Sequence, residues 1–339
     1  MKRKSVGSRR LRRTPLTDTE QLVLDVITDN RSMSLVDIAN EADLSPAKTE
    51  EAIKHLIKVG YNIEVDPDAN IELSRTIPRQ SNVVIKTKDY FGDDWIRFGF
   101  VADTHLASKY SRLDVLNALY DIYEREGVHA VYHGGNWVDG DARFNKYDVY
   151  TVGVENQIDY FVQNYPHRKG IKTYIISGDD HEGWWVQREG INVGRLMQDR
   201  ATQAGRHDLV DLGYMERDIV FKKGSGQSII RIIHAGGGST YAVSYTSQKY
   251  AESLQGGEKP SMVLMGHYHK FSYEYPREIH VIQGGTTQDQ TPFMRKRKIQ
   301  AMVGGCLVEI KQDNRGCFVR VKVEWFPFYD KKFYEYKWK

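Results

Sequence analysis

The sequence predicts a layered α/β domain preceded by a small domain of short helices. Three observations carry that expectation. From Trp95 onward, apolar strand-like runs alternate with stretches of helical periodicity, the pattern of strands and helices stacked in layers. Between residues 17 and 76, three amphipathic stretches with helix-start signals precede a strand–turn–strand pattern. Charge divides at the same places. The formal net charge is +3, yet residues 1–16 hold seven basic residues and no acid, residues 17–76 are net −8, and residues 77–339 are net +4.

Composition narrows the classes further. A hydrophobic content of 40% and an aromatic content of 12% suit a packed core. The apolar runs fall short of the ~20 residues that cross a bilayer, so no membrane partner is expected. The basic N-terminus lacks an apolar stretch behind it, unlike a secretory signal. Cys306 and Cys317 are too few for a disulfide framework and read as reduced thiols in a cytoplasmic protein.

The elements follow in order. Residues 1–16 read as a mobile basic arm. Thr17 and Glu20 have capping-box spacing, and Leu22, Val23, Val26 and Ile27 make the first apolar face. A second helix follows Ser34, with Leu35, Ile38 and Ala39 inward. Ser45 and Pro46 start a third, with Ala52, Ile53, Leu56 and Ile57 on one side and Gly60 at its end. Tyr61–Val65 and Ile71–Leu73, joined at Asp66-Pro67-Asp68, read as a hairpin. Three helices and a hairpin resemble a winged helix-turn-helix over residues 17–76. Residues 77–95 form a linker with one strand at Asn82–Lys86, and residues 96–339 form the α/β domain, closed by a hairpin of Ala301–Lys311 and Cys317–Trp325 and an aromatic, basic tail.

Five of the strand-like runs end in metal-ligand residue types. They are Asp103-Thr104-His105; Gly135-Asn136-Trp137-Val138-Asp139-Gly140; Gly178-Asp179-Asp180-His181-Glu182; His234 before Gly236–Gly238; and Gly266-His267-Tyr268-His269. In open α/β sheets the crevice beyond the strand C-termini collects ligands, and imidazoles with carboxylates suit Zn, Mn or Fe. His133 sits within a strand and reads as structural; Gly236–Gly238 read as a plain turn before a phosphate cradle.

In this order the five pieces resemble the calcineurin-like metallophosphoesterase family, with its D-x-H, G-D-x-x-D, G-N-H-D/E, H and G-H-x-H pattern, over about residues 96–290; repair- and phage-type nucleases are among its members. The resemblance implies a four-layer αββα sandwich and two divalent metal ions, Mn foremost, with Zn, Fe or Mg as alternatives. Carried over by position, Asp103, His105 and His269 hold one metal and Asp180, His234 and His267 the other. Asn136 falls where the family has its bridging aspartate. His181 becomes the proton donor or leaving-group stabiliser, oriented by Asp139. Two departures stand out: Asn136 for the bridging Asp, and Asp180 for the usual Asn. An amide offers one good oxygen where a carboxylate offers two. The swap reads as a relocated charge, an inactivated enzyme or a naturally inactive relative.

Trp184, Trp185, Gln187 and Arg188 follow His181 and are candidates for a substrate groove, with aromatic faces for bases and Arg for phosphate. Arg295, Lys296, Arg297 and Lys298 concentrate charge. The expected function is a metal-dependent phosphodiesterase acting on nucleic acid, DNA before other substrates. The alternatives are a phosphatase or small-phosphodiester hydrolase with a regulatory interaction domain, and a non-catalytic DNA-binding regulator. The acidic 17–76 segment is a poor match for a polyanion and an equal candidate for a protein partner or self-association.

Overall fold

The structure, a computed structural model, describes residues 15–77, 80–87, 95–142, 144–238 and 241–328. The basic arm, apart from its last two residues, and the tail beyond residue 328 lie outside the described residues.

Helices α1 (Asp18–Asp29), α2 (Leu35–Glu41) and α3 (Pro46–Lys58) start where Thr17, Ser34 and Ser45 cap them. At α1 the capping box is complete: Glu20 N donates to Thr17 Oγ1 (3.3 Å) and Thr17 N donates to Glu20 Oε2 (2.8 Å). β1 (Met33–Ser34), β2 (Ile63–Val65) and β3 (Asn70–Leu73) form an antiparallel sheet in the order β1-β3-β2. The two-residue β1 had no signal of its own in the sequence. Val23, Ile27, Ile38, Leu56 and Ile71 close a core separate from the rest of the chain.

Two 6-stranded sheets make up the remainder. In the first, β5 (Trp95–Val101), β6 (Ala130–His133), β7 (Lys172–Ser177) and β8 (Leu209–Tyr214) run parallel, and the hairpin β14 (Gly304–Gln312) and β15 (Phe318–Pro327) adds to β5. In the second, β10 (Gly226–His234), β11 (Met262–Gly266) and β13 (His280–Gly284) run parallel, flanked by β12 (Phe271–Glu274), β9 (Glu216–Lys223) and β4 (Val83–Lys86). β4 lies in the segment expected as a linker, and it pairs with β9 as the edge strand of this sheet.

Side-chain alternation builds the layers. Ile96, Phe98 and Phe100 of β5, with Tyr132, Ile176 and Val308, face Ile230, Ile232, Met262 and Leu264 across the inter-sheet core. The opposite faces carry helices. α4 (Leu113–Arg125), α5 (Val154–Asn164), α6 (Gly183–Glu189) and α7 (Val193–Gln203) pack on the first sheet, and α8 (Tyr245–Ser253) covers Val263, Met265 and Val281 of the second. The result is helix, sheet, sheet, helix. Among the described residues no helix is long and apolar enough to cross a membrane. Cys306 is buried between the sheets and Cys317 is exposed; both are free thiols.

The small domain docks on the end of α6. Tyr61 and Ile191 form an antiparallel bridge, Asn192 N donates to the Gly60 carbonyl (3.0 Å), and Asn62 N donates to the Gly190 carbonyl. The Arg75 guanidinium donates to the carbonyls of Gln187 (3.3 Å) and Arg188 (2.8 Å), a cation at a helix C-terminus.

Phe98 is fully buried and edge-on to Tyr132, with ring centroids 5.0 Å apart. Phe98→Ala is expected to cost about 3–5 kcal/mol of unfolding free energy, while Val319→Ala on the exposed face of β15 is expected to cost no more than about 0.5 kcal/mol. Chemical denaturation of both variants checks this, and a similar loss in the two would contradict the inter-sheet core.

Candidate metal centre

The candidate ligands sit just past the strand ends, where the backbone leaves its pleat. Asp103 and His105 follow β5, Asn136 and Asp139 follow β6, Asp180 and His181 follow β7, His234 ends β10, and His267 and His269 follow β11. Asp103, His105, Asn136, His181, His267 and His269 adopt φ of 51, 44, 53, 46, 92 and 55°. Left-handed backbone costs a non-glycine residue about 1–2 kcal/mol, and such strain persists only where surrounding structure enforces it. Here it turns consecutive polar side chains into one pocket.

The pocket holds three overlapping groups of candidate ligand atoms, each within 4.8 Å of one another: Asp103, His105 and His269; Asp180, His234 and His267; and His105, Asp139 and His181, the last already joined by the hydrogen bonds of Asp139 to both rings. The first two are the triads that the sequence pattern pairs. Hydrogen bonding decides which imidazole nitrogens face inward. His105 Nδ1 donates to Asp139 Oδ1 (3.0 Å), so in the neutral ring Nε2 carries the lone pair; it lies at hydrogen-bond distance from His269 Nε2 (3.1 Å) and 4.0 Å from Asp103 Oδ1. His234 Nδ1 donates to the Gly134 carbonyl (2.7 Å), leaving Nε2 against Asp180 Oδ1 (3.1 Å). His267 Nε2 donates to the Gly237 carbonyl (2.7 Å), leaving Nδ1 facing Asp180 Oδ2 at 3.4 Å. Anchoring one ring nitrogen so that the other presents its lone pair is how metal-binding histidines are oriented.

Two oxygens fit the same reading. Asp103 Oδ1 and Asn136 Oδ1 are buried and accept no hydrogen bond. A buried acceptor without a donor is costly, and a cation satisfies it. Gly178 keeps room beside them: a Cβ there would stand 2.6 Å from Asn136 Oδ1 and 3.0 Å from His234 Nε2. Imidazole nitrogens and carboxylate oxygens of this kind suit a divalent transition metal, and the residues present fit one.

Burial and charge set the protonation. Burial pushes the Asp103 carboxyl up to about 6, against the pull of His234 and His267. Burial also works against charge on Asp180, but the bonds to His234 and His267 outweigh it and hold Asp180 well below the usual carboxylate range. Those same contacts raise His234 to about 10 against its burial. Burial, with the neighbouring imidazoles, keeps His105 and His269 neutral. One triad is an ion-paired cluster; the other is a set of neutral donors around an unpaired oxygen.

All seven expected ligands meet in this pocket. Asp139 does hold His181, through its main-chain carbonyl, which accepts from His181 Nδ1 (2.6 Å); its carboxylate is bonded to His105 and lies 3.8 Å from His181 Nδ1. One expectation is corrected. Trp185 is 2% exposed within the helical core, so it packs α6 and lines no groove. Trp184 is half-buried and Arg188 is exposed, its guanidinium 5.5 Å from the Trp184 ring centre. Gly236–Gly238 present carbonyls: Gly236 accepts from Tyr268 Oη (2.8 Å) and Gly237 from His267.

Several contributors were not assigned roles from the sequence. Glu182 Oε1 accepts from Asn136 N (2.9 Å) and Gly178 N (2.8 Å), tying the β6 and β7 turns together, and burial pushes its carboxyl up to about 8. Its place beside His181 was its only signal. Gln288 (3.2 Å) and Asn145 (3.0 Å) donate to the Asp139 carboxylate, and Thr286 Oγ1 donates to the Asp103 carbonyl (2.6 Å). Gln288 and Thr286 reach the pocket from the loop after β13, which no local pattern announces. Phe144 and Phe293, stacked at the pocket mouth, were also missed.

No protein-family profile matches the chain, and no curated protein matches it. Solved structures do match at low similarity. A novel archaeal phosphodiesterase is 13% identical at a TM-score of 0.36, over 68% of this chain and 100% of that one. Zinc-complexed Vps29 from Entamoeba histolytica is 11% identical at 0.32, over 69% and 100%. A hypothetical protein from Pyrococcus horikoshii is 13% identical at 0.35, over 71% and 91%.

Metal analysis of dialysed protein loaded with Mn or Zn checks the two triads. The chain is expected to hold two ions, and His105→Ala and His234→Ala to hold one each. Two ions retained in both variants would reject these ligand sets.

Proposed function

We propose that the chain is a divalent-metal-dependent phosphodiesterase acting on nucleic acid, with DNA the favoured substrate. The observation that carries this reading is the pair of triads facing one pocket beside His181. Two cations held there supply positive charge to a phosphoryl group and a nucleophilic water at neutral pH. The chain's own residues do the rest. Asp139, through its carboxylate, fixes the His105 ring and, through its carbonyl, the His181 ring. With Nδ1–H committed to that carbonyl, the imidazolium form of His181 would carry an Nε2–H to pass to the departing oxygen, leaving the neutral ring. Glu182 holds the Asn136 and Gly178 turns in register.

Charge supports a polyanionic substrate. Residues 77–339 are net +4 although Asp103, Asp139, Asp179, Asp180 and Glu182 crowd the site. Arg295, Lys296, Arg297 and Lys298 are exposed on and after α9 (Pro292–Arg297). The winged-helix-like small domain, net −8, favours a protein partner or a second copy over a nucleic-acid backbone. That acidity supports a second reading, a small-phosphodiester hydrolase with an interaction domain.

Hydrolysis of bis-p-nitrophenyl phosphate with Mn is expected, and His181→Ala is expected to lower kcat about 10²–10⁴-fold. Absence of turnover by the metal-loaded chain, and by Asn136→Asp, would reject the enzyme reading. Asn136→Asp would put two carboxylate oxygens and a charge where the amide offers one good oxygen, and is expected to tighten Mn binding and raise the rate. Equal affinity and rate in the two proteins would show that Asp180 already supplies the charge that Asn136 lacks.

A further inference from the structure

We infer that Phe144, Phe293 and Trp184, flanked by Arg188 and Arg297, form a stacking platform for unpaired bases, which makes the preferred substrate single-stranded nucleic acid. This rests on the phosphodiesterase reading for the chemistry, and on separate residues for recognition.

Phe144 and Phe293 are 43% and 37% exposed, unusual for phenylalanines outside any core cluster. They come from distant parts of the chain and stack on one another, with ring centroids 4.8 Å apart and planes 28° apart. Phe144 also stands edge-on to the His181 ring (5.7 Å) and to Trp184 (6.1 Å). The aromatic surface therefore begins at the proposed proton donor. α9 holds Phe293 in place: Thr291 caps the helix, and Met294 is buried beneath it.

Charge brackets the rings on both sides. The Arg188 guanidinium lies 5.5 Å from the Trp184 ring centre, and that of Arg297 lies 5.8 Å from the Phe293 ring centre. Arg295, Lys296 and Lys298 are exposed beside Arg297. Aromatic faces interleaved with cations are what a single strand needs, since each base offers a π-face and each phosphate a charge. A duplex keeps its base faces stacked inside and offers this surface only phosphates. An apolar protein segment would use the rings but not the cations.

Binding to the full-length chain in EDTA tests recognition apart from chemistry. The probes are a dye-labelled oligothymidylate, an abasic oligomer of equal length and charge, and a duplex of the same length. The wild-type chain is expected to bind oligothymidylate at least about 10-fold more tightly than the abasic strand. Phe144→Leu and Phe293→Leu keep apolar bulk but lose the ring. Each is expected to weaken oligothymidylate binding about 5-fold or more, with the abasic strand bound as by wild type. Equal wild-type affinity for the base-bearing and abasic strands, or a duplex bound as tightly as the single strand, would overturn the platform. Bis-p-nitrophenyl phosphate, which has no base, separates the two ideas. Turnover without base-dependent binding overturns the platform alone. Base-dependent binding without turnover overturns the phosphodiesterase reading and leaves the platform standing.

Discussion

The packing of the two sheets face to face decides where everything polar in this chain can go. Ile96, Phe98 and Phe100 on one side and Ile230, Ile232, Met262 and Leu264 on the other close a dry layer. That layer brings the ends of β5, β6 and β7 of the first sheet together with those of β10 and β11 of the second. Within a strand, alternation forces every second side chain into an apolar layer. The first residues past the strand end escape that alternation, and there polar side chains can turn inward. Asp103, Asn136, Asp180 and His267 occupy those positions. The pocket is thus a consequence of where the strands stop, and its depth comes from the same packing that removes water from it.

That dryness gives the two halves of the pocket different characters. Around Asp180 the charges neutralise one another, with His234 and His267 raised and the carboxyl lowered. A cation entering there would compete with the proton that Asp180 holds on His234, so its binding would be coupled to pH. Around Asp103 the imidazoles are already neutral and one carboxylate oxygen is unpaired. A cation entering there completes an unsatisfied shell. Asn136 stands on the His234 side, its buried side-chain oxygen unmet by any donor and its amide uncharged. The charge of that half comes from Asp180.

Much of this was legible in the sequence. The capping residues Thr17, Ser34 and Ser45 mark their helices because capping is local chemistry. The five ligand motifs are legible because each lies within a few residues of its strand end. What escaped was set by distance along the chain. The strand at β4 was expected, but its place in the second sheet was not, because its one neighbour, β9, is far downstream. Gln288 meets Asp139 only after the sheets have packed. The Asp139–His181 relation was legible as a pair of residues but not of atoms: whether a carboxylate or a carbonyl accepts from the ring depends on what else competes, and His105 takes the carboxylate. Trp185 fails as a groove residue for a helical reason, since its neighbour Trp184 points elsewhere and only one of two adjacent residues can face the same way.

The left-handed turns that carry six of the site residues have a consequence for the whole molecule. Each turn, like each buried oxygen without a donor, makes the empty fold less stable than a chain of the same size with apolar turns. A ligand that binds only the folded pocket recovers that deficit by mass action, by an amount that grows with its free concentration. A divalent cation held by these residues would therefore raise the melting temperature as its concentration rises, and a chelator would lower it.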